Sequence, residues 1–414
     1  MEALNPPAPS SKRSSLFILC LLGVLSVVSP FSIDMYLTAY LQVAGEFGVS
    51  TNAISLTLSA YFIGMAGGQL FYGPLLDRFG RKPPLAVGLL LFLAASLGCA
   101  FSTSIEMLVA MRFLQGLGGC GAQVASLAMV RDFFPPRQSA RILSSLFLFI
   151  AVSPLLAPTV GGVVVGIWGW RAVFVVLFLV VALILALTWF LLPEGHRADR
   201  GISLKPGPIA REYLVIVRHP CFATYALAGA FSFAGLFAYV AGSPIVFMDN
   251  FHLSAAAYSS IFAVLACGLI GASQLNVLLL KRFSSTTLFA AVLALQVAVT
   301  LAFAIGTWAG LYGISATVVF FFLTLSCLGV TYPNAASIAL MPFGRNAGSA
   351  AALLGFVQLG IGAIISSGIS VSRSSGNLPV VGTLAVTSVL AGIVLWLGAK
   401  RARAAMAAAP GQNL

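Results

Sequence analysis

Two formal charges stand deep within apolar runs of this 414-residue chain, Asp34 and Arg112. Either one at the centre of a membrane helix costs roughly 2.5–3.5 kcal/mol on insertion scales, so such residues face a cavity or a partner. Asp34 lies six residues before Tyr40, where its run ends, and Arg112 lies six residues after Glu106, where its run begins. At the helical rise, both sit about 9 Å below the same surface and could share one polar site. As a static ion pair they would fix packing; as a working site they would handle protons or substrate. Arg112 also opens a stripe, with Gln115, Gly119 and Gln123 following on one helical face. Two amides on one face suit either a water-filled cavity or hydrogen-bonded helix packing.

The segment Gly73–Lys82 gathers Asp77, Arg78, Arg81 and Lys82. A loop that only sets topology needs the cations alone. Asp77 beside Arg78 and Arg81 predicts a charge cluster that holds two spans against a neighbour, in a tight loop turned by Gly73 and Gly80. A later run carries Pro154, Pro158, Gly161 and Gly162, which either kink one helix or bend it at an interface between halves. Six scattered cysteines without a Cys-x-x-Cys and three histidines without a cluster predict no metal, no disulfide and no cofactor. No nucleophile stands with a base, so no catalytic residue and no enzyme is expected.

The elements that must carry these residues follow from composition. Charged residues are 8% of the chain, against about 25% in soluble proteins. Hydrophobic residues are 60% and the mean hydropathy is +1.03, which excludes a soluble fold and a disordered one. Twelve runs are long enough to cross a bilayer, near 16–40, 53–72, 84–103, 106–130, 142–166, 170–192, 222–247, 258–280, 286–308, 311–341, 347–372 and 379–399. With the N-terminus inside, 19 of the 22 Lys and Arg residues fall in cytoplasmic segments. Arg171 and Arg373 fall outside, and Arg112 lies within a span. This asymmetry predicts both termini cytoplasmic. It also explains the net charge of +12 as topology, with no nucleic-acid partner.

The longest polar gap, 193–221, holds a short surface helix with Ile209, Tyr213, Ile216 and Val217 at helical spacing. It divides an N-terminal half, 1–192, from a C-terminal half, 222–400, with a cytoplasmic tail at 401–414. Leu75–Phe79 resembles Leu279–Phe283 at an offset of 204 residues, which supports an internal duplication. At that offset Asp34 and Arg112 map to Ala238 and Ala316, so the charged site belongs to one half. The expected fold is an all-α integral membrane protein of twelve transmembrane helices in two six-helix halves.

These motifs resemble those of the major facilitator superfamily over nearly the whole chain, and within it the proton-driven drug exporters of the bicyclomycin and chloramphenicol resistance branch. Gly73–Lys82 is similar to the signature between spans 2 and 3, Arg112–Gly116 to that of span 4, Ala157–Gly162 to the antiporter signature of span 5, and Ser32–Leu37 to the span-1 signature of the branch. Thr38, Ala157 and Ser26 depart from it. The resemblance implies a bacterial inner-membrane antiporter, acting as a monomer and driven by the proton gradient, that exports small amphipathic drugs by alternating access. Asp34 would carry the proton, Arg112 would tune it, and Asp77 and Arg81 would latch the inner gate. Tyr36, Tyr61, Phe233, Phe237 and Tyr239 would line the cavity. An exporter of a sugar, amino acid or siderophore is the competing expectation. A non-transporting sensor is more remote, because the tails of about 15 residues leave no output domain.

Overall fold

A computed structural model describes residues 12–134, 136–194, 198, 206–343, 347–371 and 376–407. Arg345, Arg373, Arg197, Arg200 and Lys205 lie outside them, so that part of the charge asymmetry is not described. Every described element is helical, as a bilayer demands of a chain that must satisfy its backbone polar groups internally. In order they are α1 (Lys12–Leu37), α2 (Tyr40–Phe47), α3 (Thr51–Phe79), α4 (Lys82–Ala100), α5 (Ile105–Phe133), α6 (Pro136–Trp168) and α7 (Arg171–Leu191). There follow α8 (Pro206–Arg218), α9 (Pro220–Pro244) with a π-helical turn at Ile245–Asn250, α10 (Ala255–Leu279), α11 (Ser285–Trp308), α12 (Ile314–Leu340), α13 (Ala347–Val371) and α14 (Leu378–Ala407). Eleven of the described helices are long and apolar enough to cross a membrane, and α6 is apolar over Val152–Trp168. Ser104, Ser254 and Ser284 cap α5, α10 and α11, each accepting a backbone N–H of the first turn, a contact worth about 1 kcal/mol.

Three expectations are corrected. Gly73–Phe79 is not loop: α3 runs through Pro74 to Phe79, and only Gly80, at φ +87°, makes the turn into α4. The run expected at 16–40 breaks after Leu37, and Tyr40 starts a separate eight-residue helix that stops at Gly48, φ +64°. Helix α14 continues to Ala407, into the segment expected as tail, because the alanines, arginines and methionine from Arg401 to Ala407 are strong helix formers. The surface helix of the central gap is present as α8, with Ile216 buried and Leu214, Val215 and Val217 exposed.

The described residues form two compact units, those within Met1–Val49 and Ala60–Lys205, and those within Ser50–Ser59 and Pro206–Leu414. In the first, α4 packs on α5 and α7, and α1 packs on α5 and α6. In the second, α11 packs on α12 and α14, and α9 packs on α12, α13 and α14. The same plan is thus built twice. One close approach shows it: a Cβ on Gly116 of α5 would strike the Tyr61 carbonyl of α3, and a Cβ on Gly329 of α12 would strike the Leu269 carbonyl of α10. Equating the two glycines gives an offset of 329 − 116 = 213 at this helix, not 204. The counterpart of Arg112 is then Leu325 rather than Ala316, still without charge.

Candidate functional site

Arg112 is fully buried in the first unit. Its Nη1 donates to the Ser32 hydroxyl of α1 at 3.1 Å and to Gln115 Oε1 at 2.6 Å. Gln115 Nε2 in turn donates to Ser96 of α4 at 2.8 Å, and Ser96 donates to the Phe92 carbonyl at 2.7 Å. Three rings face the guanidinium, Tyr61 at 4.4 Å, Tyr36 at 4.7 Å and Phe174 at 5.8 Å from their centroids. Desolvated cation–π contacts of this kind reach about 2 kcal/mol each. Nε and Nη2 have no hydrogen-bond partner among the described residues.

Asp34 is 6% exposed, and its Oδ2 accepts the Ser153 hydroxyl of α6 at 3.2 Å. It does not pair with Arg112; among the described residues the ion pairs lie elsewhere. Depth puts the two charges at one level, but depth ignores direction. Positions two apart on a helix diverge by about 200°. Ser32 faces Arg112, so Asp34 faces away from it, toward α6. Gly161 belongs to the same contact: a Cβ there would strike the Met35 carbonyl, so α6 rides directly on α1 beside Asp34. Helix α6 stays helical through Pro154 and Pro158, and Gly162 is half-buried beside them.

The polar stripe divides. Gln115 is consumed by Arg112 and Ser96, which is the packing alternative. Gly119 packs under Ser29 and Phe92, and only Gln123 is half-exposed. The expected cavity aromatics divide as well. Tyr36 and Tyr61 are fully buried and belong to the Arg112 nest. Tyr239 is a core residue of the second unit, stacked on Phe262 at 5.4 Å and tilted against Phe321. Phe233 is half-buried and Phe237 buried; they meet edge to face at 5.6 Å. Phe233 also stacks on Tyr332 of α12 at 4.3 Å. Sequence reasoning misses Tyr332, and its neighbour Pro333 inside an apolar run is the available signal.

The charge cluster between α3 and α4 is more closed than its motif implies. Arg81 Nη1 donates to Asp77 at 2.6 Å, and its Nε and Nη2 make a fork onto Asp132 of α5 at 2.7 and 3.3 Å. Burial opposes the cation, but the hydrogen bonds it donates to Asp132 and Asp77 outweigh it and hold the Arg81 pKa above the ordinary arginine value. Glu194, beyond α7, accepts the backbone N–H of Arg81 at 2.7 Å and of Lys82 at 3.2 Å, an anion placed on the N-terminus of α4. Arg78 lies over Phe79, 5.6 Å from its centroid. Asp132 and Glu194 could not be found from sequence, because each lies beyond a helix away from the motif. Asp132→Ala is expected to lower stability by about 2 kcal/mol, since it leaves Nε and Nη2 of the buried Arg81 without acceptors while Asp77 still pairs with Nη1. Asp77, whose side chain is 50% exposed, should cost less than about 1 kcal/mol as Asp77→Ala. Thermal melts of the two purified variants check this, and equal losses would refute the ranking.

A family model described as Major Facilitator Superfamily matches residues 22–367. The chain belongs to that superfamily. It is a multi-pass membrane transporter rather than an enzyme. It is 32% identical to a bicyclomycin resistance protein homolog of Haemophilus influenzae over 92% of this chain and 96% of that one. It is 31% identical to the multidrug resistance protein MdtL of Escherichia coli over 83% and 86%. An uncharacterized MFS-type transporter of Bacillus subtilis, YdgK, is 30% identical over 93% and 96%. Among solved structures, a D-xylose–proton symporter matches with a TM-score of 0.75 at 16% identity, over 94% of this chain and 98% of that one. A bacterial homolog of the human lysosomal transporter Spinster, inward-facing and occupied, matches at 0.68 and 15%, over 97% and 100%. Those two establish the superfamily's fold.

Proposed function

We propose that this transporter is a proton-coupled antiporter that exports small amphipathic drugs, amphenicol- or bicyclomycin-like, across a bacterial inner membrane with both termini cytoplasmic. The observation that carries this is Asp34, a buried acid held by one hydroxyl, in a unit where the buried cation Arg112 has no carboxylate among the described residues. Names of relatives that refer to bicyclomycin and multidrug resistance support the substrate class.

A proton arriving at Asp34 removes its charge and changes what Ser153 donates to. Helix α1 carries Asp34 toward α6 and Ser32 toward Arg112, so a shift of α1 at the acid is felt at the cation. The Asp77–Arg81–Asp132 cluster acts as the cytoplasmic latch. Phe233 and Tyr332 offer a stacked aromatic face for weakly selective apolar contact. The transporter acts as a monomer and needs no cofactor.

The test is drug susceptibility of an efflux-deficient host with and without this chain, over amphenicols, bicyclomycin and cationic dyes. Increased resistance to the neutral antibiotics is expected. Unchanged susceptibility at confirmed expression would overturn the reading in favour of a metabolite exporter. In vesicles, one proton in against one neutral drug out moves one positive charge inward. An interior-negative potential should then assist export by about 2.3 kcal/mol per 100 mV. Export of a neutral drug that ignores the potential would exclude this stoichiometry.

A further inference from the structure

A crevice of about 460 Å³ opens between α1, α6 and α7 in the first unit. Twelve of the described residues line it, and eleven of these are apolar. Its rim is open sideways: Val24 is 39% exposed, Leu156 54% and Val180 41%. The twelfth lining residue is Ser153, 2% exposed, whose hydroxyl donates to Asp34. The crevice therefore ends at the one hydroxyl that holds the buried acid.

We infer that this crevice is a bilayer-side binding site for a small lipophilic molecule that carries a single O–H or N–H donor. The volume falls within the range of about 300–1,000 Å³ that suits a drug-sized ligand, and an apolar wall with one placed polar group is the usual composition of such sites. While Asp34 is ionised, Ser153 spends its only proton on it, so its oxygen keeps lone pairs and can only accept. That selects a donor on the ligand. The position excludes a phospholipid as the source of that donor. Val28 at the crevice is nine residues from Leu37 at the nearer end of α1, about 13 Å along the helix. A lipid head group stays at the membrane surface, and its tail has no donor. The occupant therefore partitions into the bilayer whole, enters between α6 and α7, and lies one hydrogen bond from Asp34. Binding at this site stands apart from the export reading; a failure of export leaves it untouched.

The full chain, reconstituted in phosphatidylcholine vesicles, is photolabelled with a diazirine-bearing 4-alkylphenol and, separately, with its methyl ether. The phenol should label peptides covering residues 149–156 and 177–184, saturably and in competition with unlabelled phenol. The ether, which cannot donate, should label about tenfold less, the scale of one hydrogen bond. Ser153→Ala should bring the phenol down to the level of the ether, and Val180→Trp should block both by filling the crevice. Equal saturable labelling by phenol and ether in the unchanged protein would overturn the inference and leave a groove for any hydrocarbon tail. Labelling that does not saturate would overturn it too, and leave a lipid-facing surface only. Both comparisons use the unchanged protein, so they decide the matter even if Ser153→Ala fails to fold.

Discussion

Asp34→Asn is expected to abolish proton-driven efflux while the protein still folds. The carboxamide has the shape of the carboxylate, and its oxygen can still accept the Ser153 hydroxyl. The difference in stability should stay near 1 kcal/mol, roughly the worth of one adjusted hydrogen bond. What is lost is titration, since an amide neither takes up nor releases a proton. Uphill export should fall by about two orders of magnitude or more, as when a positioned proton-transfer group is removed. Downhill exchange of labelled for unlabelled drug needs no proton and should continue. Efflux from vesicles with an imposed pH gradient, beside drug/drug exchange in the same preparation, separates the two. Uphill export at the unchanged rate in the variant would remove Asp34 from coupling.

Arg112→Met is expected to keep the fold and lose transport. A buried cation with no carboxylate beside it among the described residues carries a desolvation cost that an apolar side chain of similar volume does not. Here the rings of Tyr36, Tyr61 and Phe174 already form an apolar nest for it. The variant should therefore melt within a few degrees of the unchanged protein, a shift on the scale of about 1 kcal/mol. Without the cation, Ser32 no longer tethers α1 to α5, and the link from Asp34 to the rest of the unit is cut. Export should drop at least about tenfold, and Arg112→Lys should rescue it only in part, because an ammonium lacks the planar face that stacks on the three rings. Transport at a normal rate in Arg112→Met would reduce the residue to packing.

Both variants turn on a distinction between depth and direction. Asp34 and Arg112 are recognisable because a charge within an apolar run is costly wherever the helix points. Their partners are not. Ser153 and Ser32 are common residues in membrane helices, and nothing local marks the two that meet these charges, or Ser96 behind Gln115. Gln115 shows the same limit from the other side, since an amide on a polar stripe reads equally as cavity lining or as helix packing until its acceptor is seen. Span position alone puts Tyr239 in a cavity, and packing on Phe262 and Phe321 puts it in the core. The segment Gly73–Phe79 reads as loop because of its charges and the glycines Gly73 and Gly80, yet the helix continues; Arg81 lies beyond it and bonds back to Asp77 four residues earlier.

The sequence by itself determined that this is an all-α membrane protein with repeated halves, because length and hydropathy of each run are local quantities that a bilayer reads directly. It also determined which residues are expensive, Asp34 and Arg112, and the family motifs around them. Only the tertiary structure decided that the acid turns to α6 and the cation to aromatic rings, that Asp132 and Glu194 close the Arg81 cluster, and that an apolar crevice ends at Ser153. Those outcomes depend on the rotation of each helix about its axis. Helices packed on several neighbours in an apolar medium carry little amphipathic signal, so that rotation is set by close contacts such as Gly116 on Tyr61 and Gly161 on Met35, which no single segment encodes.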